Sequence, residues 1–412
     1  MDYLYIFPDI HIWADESNLL FFDTRNQNRK KHKINILNKQ MYNELCDIRN
    51  LYCIELRQDN RDDALLAEIT HEGFGVILQT SFEQRPIAIP PFHILKERFS
   101  VGGIRYFPQV MNYVKMITIH LGGDCKHHCP NCHSLYKQVN NCFHENAMLD
   151  SESIQALQYR INALNNLETI NIICSSPDKD LIQSTKVMQK RGSLTVYHLS
   201  WKNLTEDIIQ FIYSSEHTLL KVTIDVSIIS DEHLEALCLL QQKYKDRIIL
   251  VFCITCEQDE LFLKQHISQA IQENIEFHFC YIGNDKEHIR QNYLLNNSDL
   301  QGITADRNHI FGNRELNFSL FGKLVIHPDG TIRLNENTEV IGTIADDWVG
   351  ILNKALNKPN PWLLTRNKIR PCSNCIYCDL CPPIRNLELY MGDKLACVDY
   401  YKTHAKLEKD NN

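Results

Sequence analysis

VKMITIHLGGDCKHHCPNCHS, residues 114–134, carries the reading that decides the fold. Its opening, VKMITIHL, is a short apolar run with β-branched side chains and reads as a buried strand. The loop after it holds Cys125, Cys129 and Cys132 in the spacing C-x3-C-x2-C. Thiolate sulfur suits iron–sulfur clusters and zinc, and clustered thiolates at short spacing are the signature of both. Three cysteines this close can wrap one cubane, whereas zinc more often takes paired C-x2-C knuckles plus a distant pair. His127, His128 and His133 stand among the cysteines and keep zinc open. Cys142 follows ten residues after Cys132, as a fourth ligand or as a loop thiol.

Around this loop, strand and helix periods alternate. Helix 151–166 leads to TINIIC, helix 179–190 to LTVYHL, helix 205–213 to LLKVTIDVS, helix 231–245 to IILVFCIT and helix 259–273 to EFHFCYIG. Such alternation predicts an α/β domain over 111–300, a parallel sheet of partial (β/α)6 TIM-like barrel form with helices outside. In parallel β/α barrels the loops after strands carry chemistry, and the three-cysteine loop follows the first strand.

Residues 301–412 form a third segment. ELNFSLFGKLVIHPDGTIRLNENTEVIGTI reads as strands with a turn at Pro328–Asp329–Gly330, then helix 346–356. A second cysteine group follows: Cys372, Cys375, Cys378, Cys381 and Cys397. Residues 1–110 form the first segment. YLYIFP, DIHIWA, NLLFFDT and LYCIELRQ read as strands, with helices over Ile36–Ile48 and Asp62–His71. Asn35 or Asn38 is a candidate cap for the first helix, and PIAIPPF, 86–92, reads as the linker. The order fits a small winged-helix-like α+β module.

Bulk composition narrows the class. Hydrophobic content of 44% and charged content of 23% are those of a soluble globular protein. A net charge of −8 argues against a nucleic-acid partner, and the basic stretch Asn28–Lys33 reads as a solvated loop. No apolar run reaches membrane-span length, and MDYLYIFPDIHIW lacks the basic start of a signal peptide, so the expectation is a cytoplasmic protein. Sixteen cysteines in a reducing compartment favour metal or cluster ligation over disulfides. Cys46, Cys53, Cys174, Cys238, Cys253, Cys256 and Cys280 lie outside the two groups and read as buried small hydrophobes.

C-x3-C-x2-C after the first strand of such a barrel resembles the radical S-adenosylmethionine signature, and the C-terminal cysteines resemble the SPASM auxiliary-cluster module. ITIHLGGDCKHHCPNCHSLYKQVNNCF, the INII strand and PCSNCIYCDLCPP are most similar to the pseudo-radical-SAM proteins of GG-Bacteroidales peptide-maturation systems. The resemblance implies a 4Fe-4S cluster on Cys125, Cys129 and Cys132. It implies an auxiliary cluster on Cys372, Cys375, Cys381 and Cys397, with Cys378 as an alternate ligand and zinc as the rival metal. It implies a precursor peptide and a partner radical SAM/SPASM maturase in a heterodimer. The winged-helix-like segment is similar to modules that capture an extended leader peptide as an added strand, with plain packing or dimerisation as the alternative.

Departures from the family pattern fall on the S-adenosylmethionine contacts. Asn131 stands where an aromatic residue usually helps hold adenine. Cys174–Ser175–Ser176–Pro177–Asp178 replaces a Gly-Gly-Glu-Pro-like segment that binds the methionine amino group, so Ser175 and Ser176 stand where glycines let a ligand approach backbone. Asp225, ending a strand at Thr223–Ile224–Asp225, keeps the family pattern. A fourth thiolate from Cys142 would close the open iron. The first auxiliary cluster lacks its cysteines, with Asn335 and Arg385 near two of those positions. Three readings follow: an accessory protein that binds peptide or relays electrons for an active maturase; an active enzyme that generates a 5′-deoxyadenosyl radical; or a zinc-stabilised interaction protein.

Overall fold

The alternation of apolar and polar residues near the N-terminus folds into two small antiparallel sheets. Their strands are β1 (Asp2–Ile6), β2 (Ile10–Ala14), β3 (Asn18–Asp23), β4 (Arg29–Lys33), β5 (Cys53–Glu55) and β6 (Gly75–Gln79), in the orders β5-β1-β6 and β2-β3-β4. The helix Ile36–Cys46 starts at Asn35, whose side chain accepts from the Asn38 amide while Asn38 returns a bond to the Asn35 amide. Asp62 caps the helix Asp63–His71. Alternation along β2 and β3 splits the packing. Ile12, Leu19 and Phe21 join Leu4, Met41 and Leu65 in one core, while Trp13, Leu20 and Phe22 join Ile310, Ile376 and Leu380 in another.

One expectation is corrected here. The basic stretch is a strand, not a solvated loop: β4 pairs with β3 in the register Phe21↔Lys30 and Leu19↔His32. Lys30 meets Glu72 at 2.9 Å and His32 meets Glu68 at 3.4 Å, so acids on the helix Asp63–His71 and at its C-cap lie against the basic strand. Lysine-rich edge strands also resist unwanted pairing.

This computed structural model describes residues 1–47, 49–80, 86, 109–143, 147–177, 179–244, 246–267, 274–283, 286–293, 295–370 and 372–392. Apart from residue 86, the expected linker 86–92 lies outside them, as do Asp178 and Cys397. The chain divides into two compact units, Met1–Tyr106 with Asn296–Phe318 and Leu364–Pro383, and Phe107–Leu295 with Ser319–Leu363 and Ile384–Asn412.

The second unit is built on one nine-stranded, mostly parallel sheet. Its strands are β7 (Met116–Gly122), β8 (Thr169–Cys174), β9 (Leu194–Ser200), β10 (Thr218–Asp225), β11 (Ile248–Ile254), β12 (Ile275–Phe279), β13 (Lys323–Ile326), β14 (Thr331–Arg333) and β15 (Val340–Thr343). The order is β12-β11-β10-β9-β8-β7-β13-β14-β15. The first seven in that row run parallel, and β13–β15 form an antiparallel meander around the expected turn. β13 therefore extends the main sheet beside β7 and makes a seventh parallel strand. Helices Ser151–Asn162, Glu206–Tyr213, Asp231–Lys243 and Glu257–His266 fill crossovers. The expected helix 179–190 is a short helix, Lys179–Ser184, followed by a 3₁₀ turn, Thr185–Met188.

The two sheet faces differ in chemistry. Ile117, Ile119, Ile170, Ile172, Tyr197, Leu220, Val222, Leu250 and Phe252 join the apolar core with helix residues such as Leu157 and Ile208. The alternate residues on neighbouring strands are largely polar: Thr118, His120, Asn171, His198, Ser200, Thr223 and Asp225, all buried. Parallel sheets are usually apolar on both faces, so a polar second face stands out. The polar second face is where chemistry can sit.

Candidate functional site

The site is built on the end of β7. Gly122 and Gly123 have φ of +81° and +105°, values open to glycine, and they turn the chain into the cysteine loop. The short helix Cys132–Leu135 closes that loop, with the Cys132 amide bonding the Cys129 carbonyl at 3.4 Å. Cys125, Cys132 and Cys142 are buried and Cys129 is half-buried. Burial pushes the Cys132 thiol well above its ordinary range, and the proximity of Cys142, Cys129 and Cys125 adds to it. Burial likewise pushes Cys142 up to about 12, with Cys125 and Cys129 contributing. Cys125 and Cys129 are thus near enough to oppose the ionisation of Cys132 and Cys142. A bound cationic centre would reverse that opposition and hold them as thiolates. Thiols are the donor type that iron–sulfur clusters take. Among the described residues no group of three or more His, Cys, Asp or Glu side chains is arranged for a single metal ion.

Three of the residues expected to contact S-adenosylmethionine, Asn131, Ser175 and Asp225, are engaged with the chain itself. Asn131 Nδ2 donates to Asp225 Oδ2 at 2.9 Å and to Ser227 Oγ at 3.2 Å. The buried Ser175 hydroxyl donates to the Phe143 carbonyl at 2.7 Å and accepts from the Phe143 amide at 3.2 Å. Asn203 Nδ2 donates to the Ser175 carbonyl at 3.0 Å and approaches Cys142 Sγ at 3.9 Å. The Gly123 amide bonds the Ala147 carbonyl at 3.3 Å, and a side chain on Gly123 would meet Ser176 Cβ at 3.3 Å. Polar edges at the ends of β7 and β8 therefore already have partners on the Cys142–Leu149 side of the loop. They do not fit a free amino-acid headgroup.

Beneath Phe143 lies a group that the sequence reading missed. His120 Nε2 and His327 Nε2 approach the two oxygens of Glu336 at 2.5 and 2.8 Å, all three buried. The Phe143 ring packs on both imidazoles, 5.5 Å from His120 and 4.8 Å from His327. Burial pushes the Glu336 carboxyl up, but the charge and hydrogen bonds of the histidines outweigh it and hold it at about 2. No local motif links His120 to a glutamate 216 positions away; only the pairing of β13 with β7 does. Cys253 and Cys280 were also missed as a pair: both are fully buried in one cluster with Leu135, and the Cys280 thiol donates to the His278 carbonyl at 3.6 Å.

Cys372, Cys375, Cys378 and Cys381 of the second cysteine group belong to the first unit. They lie in one run of turns: Cys375 N bonds Cys372 O at 3.0 Å, Cys378 N bonds Cys375 O at 3.1 Å and Cys381 N bonds Tyr377 O at 2.8 Å. The Tyr377 amide points at Cys375 Sγ, 3.4 Å away, a bond that suits a thiolate. Cys378 differs, because its thiol donates to Asp379 Oδ1 at 3.4 Å, and burial with Asp379 pushes it far up. Asp379 also accepts from Trp13 Nε1 at 2.7 Å and pairs with Arg314 at 3.4 Å. Asn313 Nδ2 donates to the Asp379 and Cys381 carbonyls, fastening the loop to the helix Arg307–Glu315.

No protein-family model matches this chain, and no curated protein matches it. Similar solved structures are three crystal structures of Streptococcus suis SuiB: bound to S-adenosylmethionine, bound to precursor peptide SuiA, and SuiB itself. Each is 11% identical to this chain, covering 92% of this chain and 94% of that one, with TM-scores of 0.39, 0.43 and 0.39 respectively. No helix among the described residues is long and apolar enough to cross a membrane.

Proposed function

We propose that this chain is an accessory radical-SAM-like iron–sulfur protein in the maturation of a ribosomally made peptide. It works beside an active radical SAM/SPASM maturase, in peptide binding or electron relay, in the cytoplasm. Its three segments are a leader-binding module over 1–110, a partial barrel over 111–300 and a SPASM-like segment over 301–412. Cys125, Cys129, Cys132 and Cys142 would hold one cluster. Cys372, Cys375, Cys381 and Cys397 would hold another, with zinc as its rival. A bound cluster of this kind supplies one-electron transfer.

One observation carries the accessory reading over the active one. Four thiols gather at the end of β7, while the Ser175 hydroxyl beside them is spent on the Phe143 backbone. Four neighbouring thiols support a closed cluster, and the Ser175 hydroxyl's bonds to backbone support an altered cofactor seat. The test is anaerobic reconstitution of the full chain, with iron and sulfide counted, followed by dithionite and S-adenosylmethionine. Iron with no 5′-deoxyadenosine is the expected result. Release of 5′-deoxyadenosine by this chain alone would overturn the accessory role, and zinc without iron would overturn the clusters. Failure to associate with a maturase would overturn the partner.

A further inference from the structure

The seven parallel strands of the second unit run from β12 at one end to β13 at the other. β12 pairs with β11, and no strand among the described residues pairs with its other edge. Phe277, His278 and Phe279 of β12 and Lys323 of β13 nevertheless line one groove of about 550 Å³. Residues from both ends of the parallel row therefore line one groove, together with Gln138, Tyr293 and Leu387.

Two cations line this groove and, among the described residues, no acid does; the buried Glu388 carboxylate nearby accepts from the Arg385 backbone amide at 2.9 Å. The Arg385 guanidinium lies over the Tyr293 ring at 4.0 Å, and its Nε is buried with no hydrogen-bond partner among the described residues. Lys323 lines the same groove, and burial lowers its pKa with no acid opposing the shift. The carboxylate nearest along β12, Glu276, is already taken by Lys221 at 2.6 Å and His278 at 3.4 Å. A partly buried cation without a counter-charge is costly, so the groove is suited to an anion brought from outside. An arginine fork favours a carboxylate. The open edge of β12 offers backbone groups at strand spacing, and Phe277, 51% exposed, offers an apolar contact.

We propose that this groove binds an extended peptide segment as an added strand on β12, with an acidic side chain of that segment seated between Arg385 and Lys323. Backbone pairing supplies the affinity, and the two cations select for aspartate or glutamate. The site is independent of the clusters and stands if their assignment fails.

The probe is a fluorescein-labelled peptide of alternating valine and glutamate, titrated into the full chain at low salt. Its glutamine counterpart should bind about tenfold more weakly. Arg385→Gln and Lys323→Gln should each weaken the glutamate peptide about fivefold or more, while Arg385→Lys recovers part of the loss, which separates recognition from misfolding. Lys354→Gln, in the separate groove beside β15, should change nothing. N-methylation of alternate amides in the peptide should abolish binding, and free glutarate should not displace it. Equal binding of glutamate and glutamine peptides would overturn the charge recognition. Glutarate binding as tightly as the peptide, or indifference to N-methylation, would overturn the added strand.

Discussion

Trp13 and Asp379 are separated by 366 positions, yet one indole N–H joins them in a buried bond of 2.7 Å. Trp13→Phe keeps most of the apolar ring but strands an acceptor that also faces Arg314 and Cys378. Loss of about 1–3 kcal/mol is expected, read by denaturant unfolding of the full chain. Asp379→Asn should cost less, because an amide oxygen still accepts from the indole. Cys378 and Cys375 make a second contrast at this scale. The Cys378 thiol is committed to Asp379, while Cys375 Sγ receives a backbone N–H. Cys375→Ser should lower the metal content of this loop, and Cys378→Ser should leave it unchanged. Equal losses from both, by elemental analysis of anaerobically purified protein, would make Cys378 a ligand.

At the scale of elements, the turn out of β7 is the most constrained. A side chain on Gly122 would fall against the Ala147 carbonyl oxygen and 2.8 Å from Pro328 Cβ, at a φ of +81°. Gly122→Ala should destabilise the second unit by about 2–4 kcal/mol and expose the cysteine loop to thiol reagents. Unchanged stability and labelling would mean that the loop can move aside. Elements of this kind were legible in the sequence where a period or a cap announced them. The βα alternation gave the parallel strands, Asn35 and Asp62 gave helix starts, and Pro328–Asp329–Gly330 gave a turn. β4 was not legible, because its charges look like a loop until Glu68 and Glu72 pair with them. Nor was the seventh parallel strand, since nothing local says that β13 lies beside β7. The same limit hid half of the candidate site. Cysteine spacing is local, whereas Ser175 on Phe143 and Glu336 between two histidines are products of the sheet order.

On the scale of the whole molecule, two compact units predict two unfolding transitions, and each holds a buried histidine whose pKa is lowered from 6.5 to about 3, chiefly by burial: His11 in the first and His198 in the second. His198 is buried on the polar face of the second unit, its Nε2–H donating to Asn171 Oδ1 at 2.9 Å. Burial first, then the charge of Lys221, lowers its pKa from 6.5 to about 3. Between those values the unfolded chain binds a proton that the folded unit refuses. The stability contribution is therefore complete above pH 6.5 and is lost as pH falls toward 3, reaching about 3 kcal/mol near pH 4. Glu336 acts in the same direction lower down. Its pKa falls from 4.5 to about 2, so its contribution is present above pH 4.5 and is lost toward pH 2. The transition of the second unit should move to lower temperature between pH 7 and pH 4, with most of that loss above pH 4.5 assigned to His198. His198→Gln keeps a donor for Asn171 and removes the titrating ring, so it should flatten this part of the profile. Calorimetry across that range checks it. A flat profile in the parent chain, or an equally steep one in His198→Gln, would mean that the polar face admits a proton without unfolding.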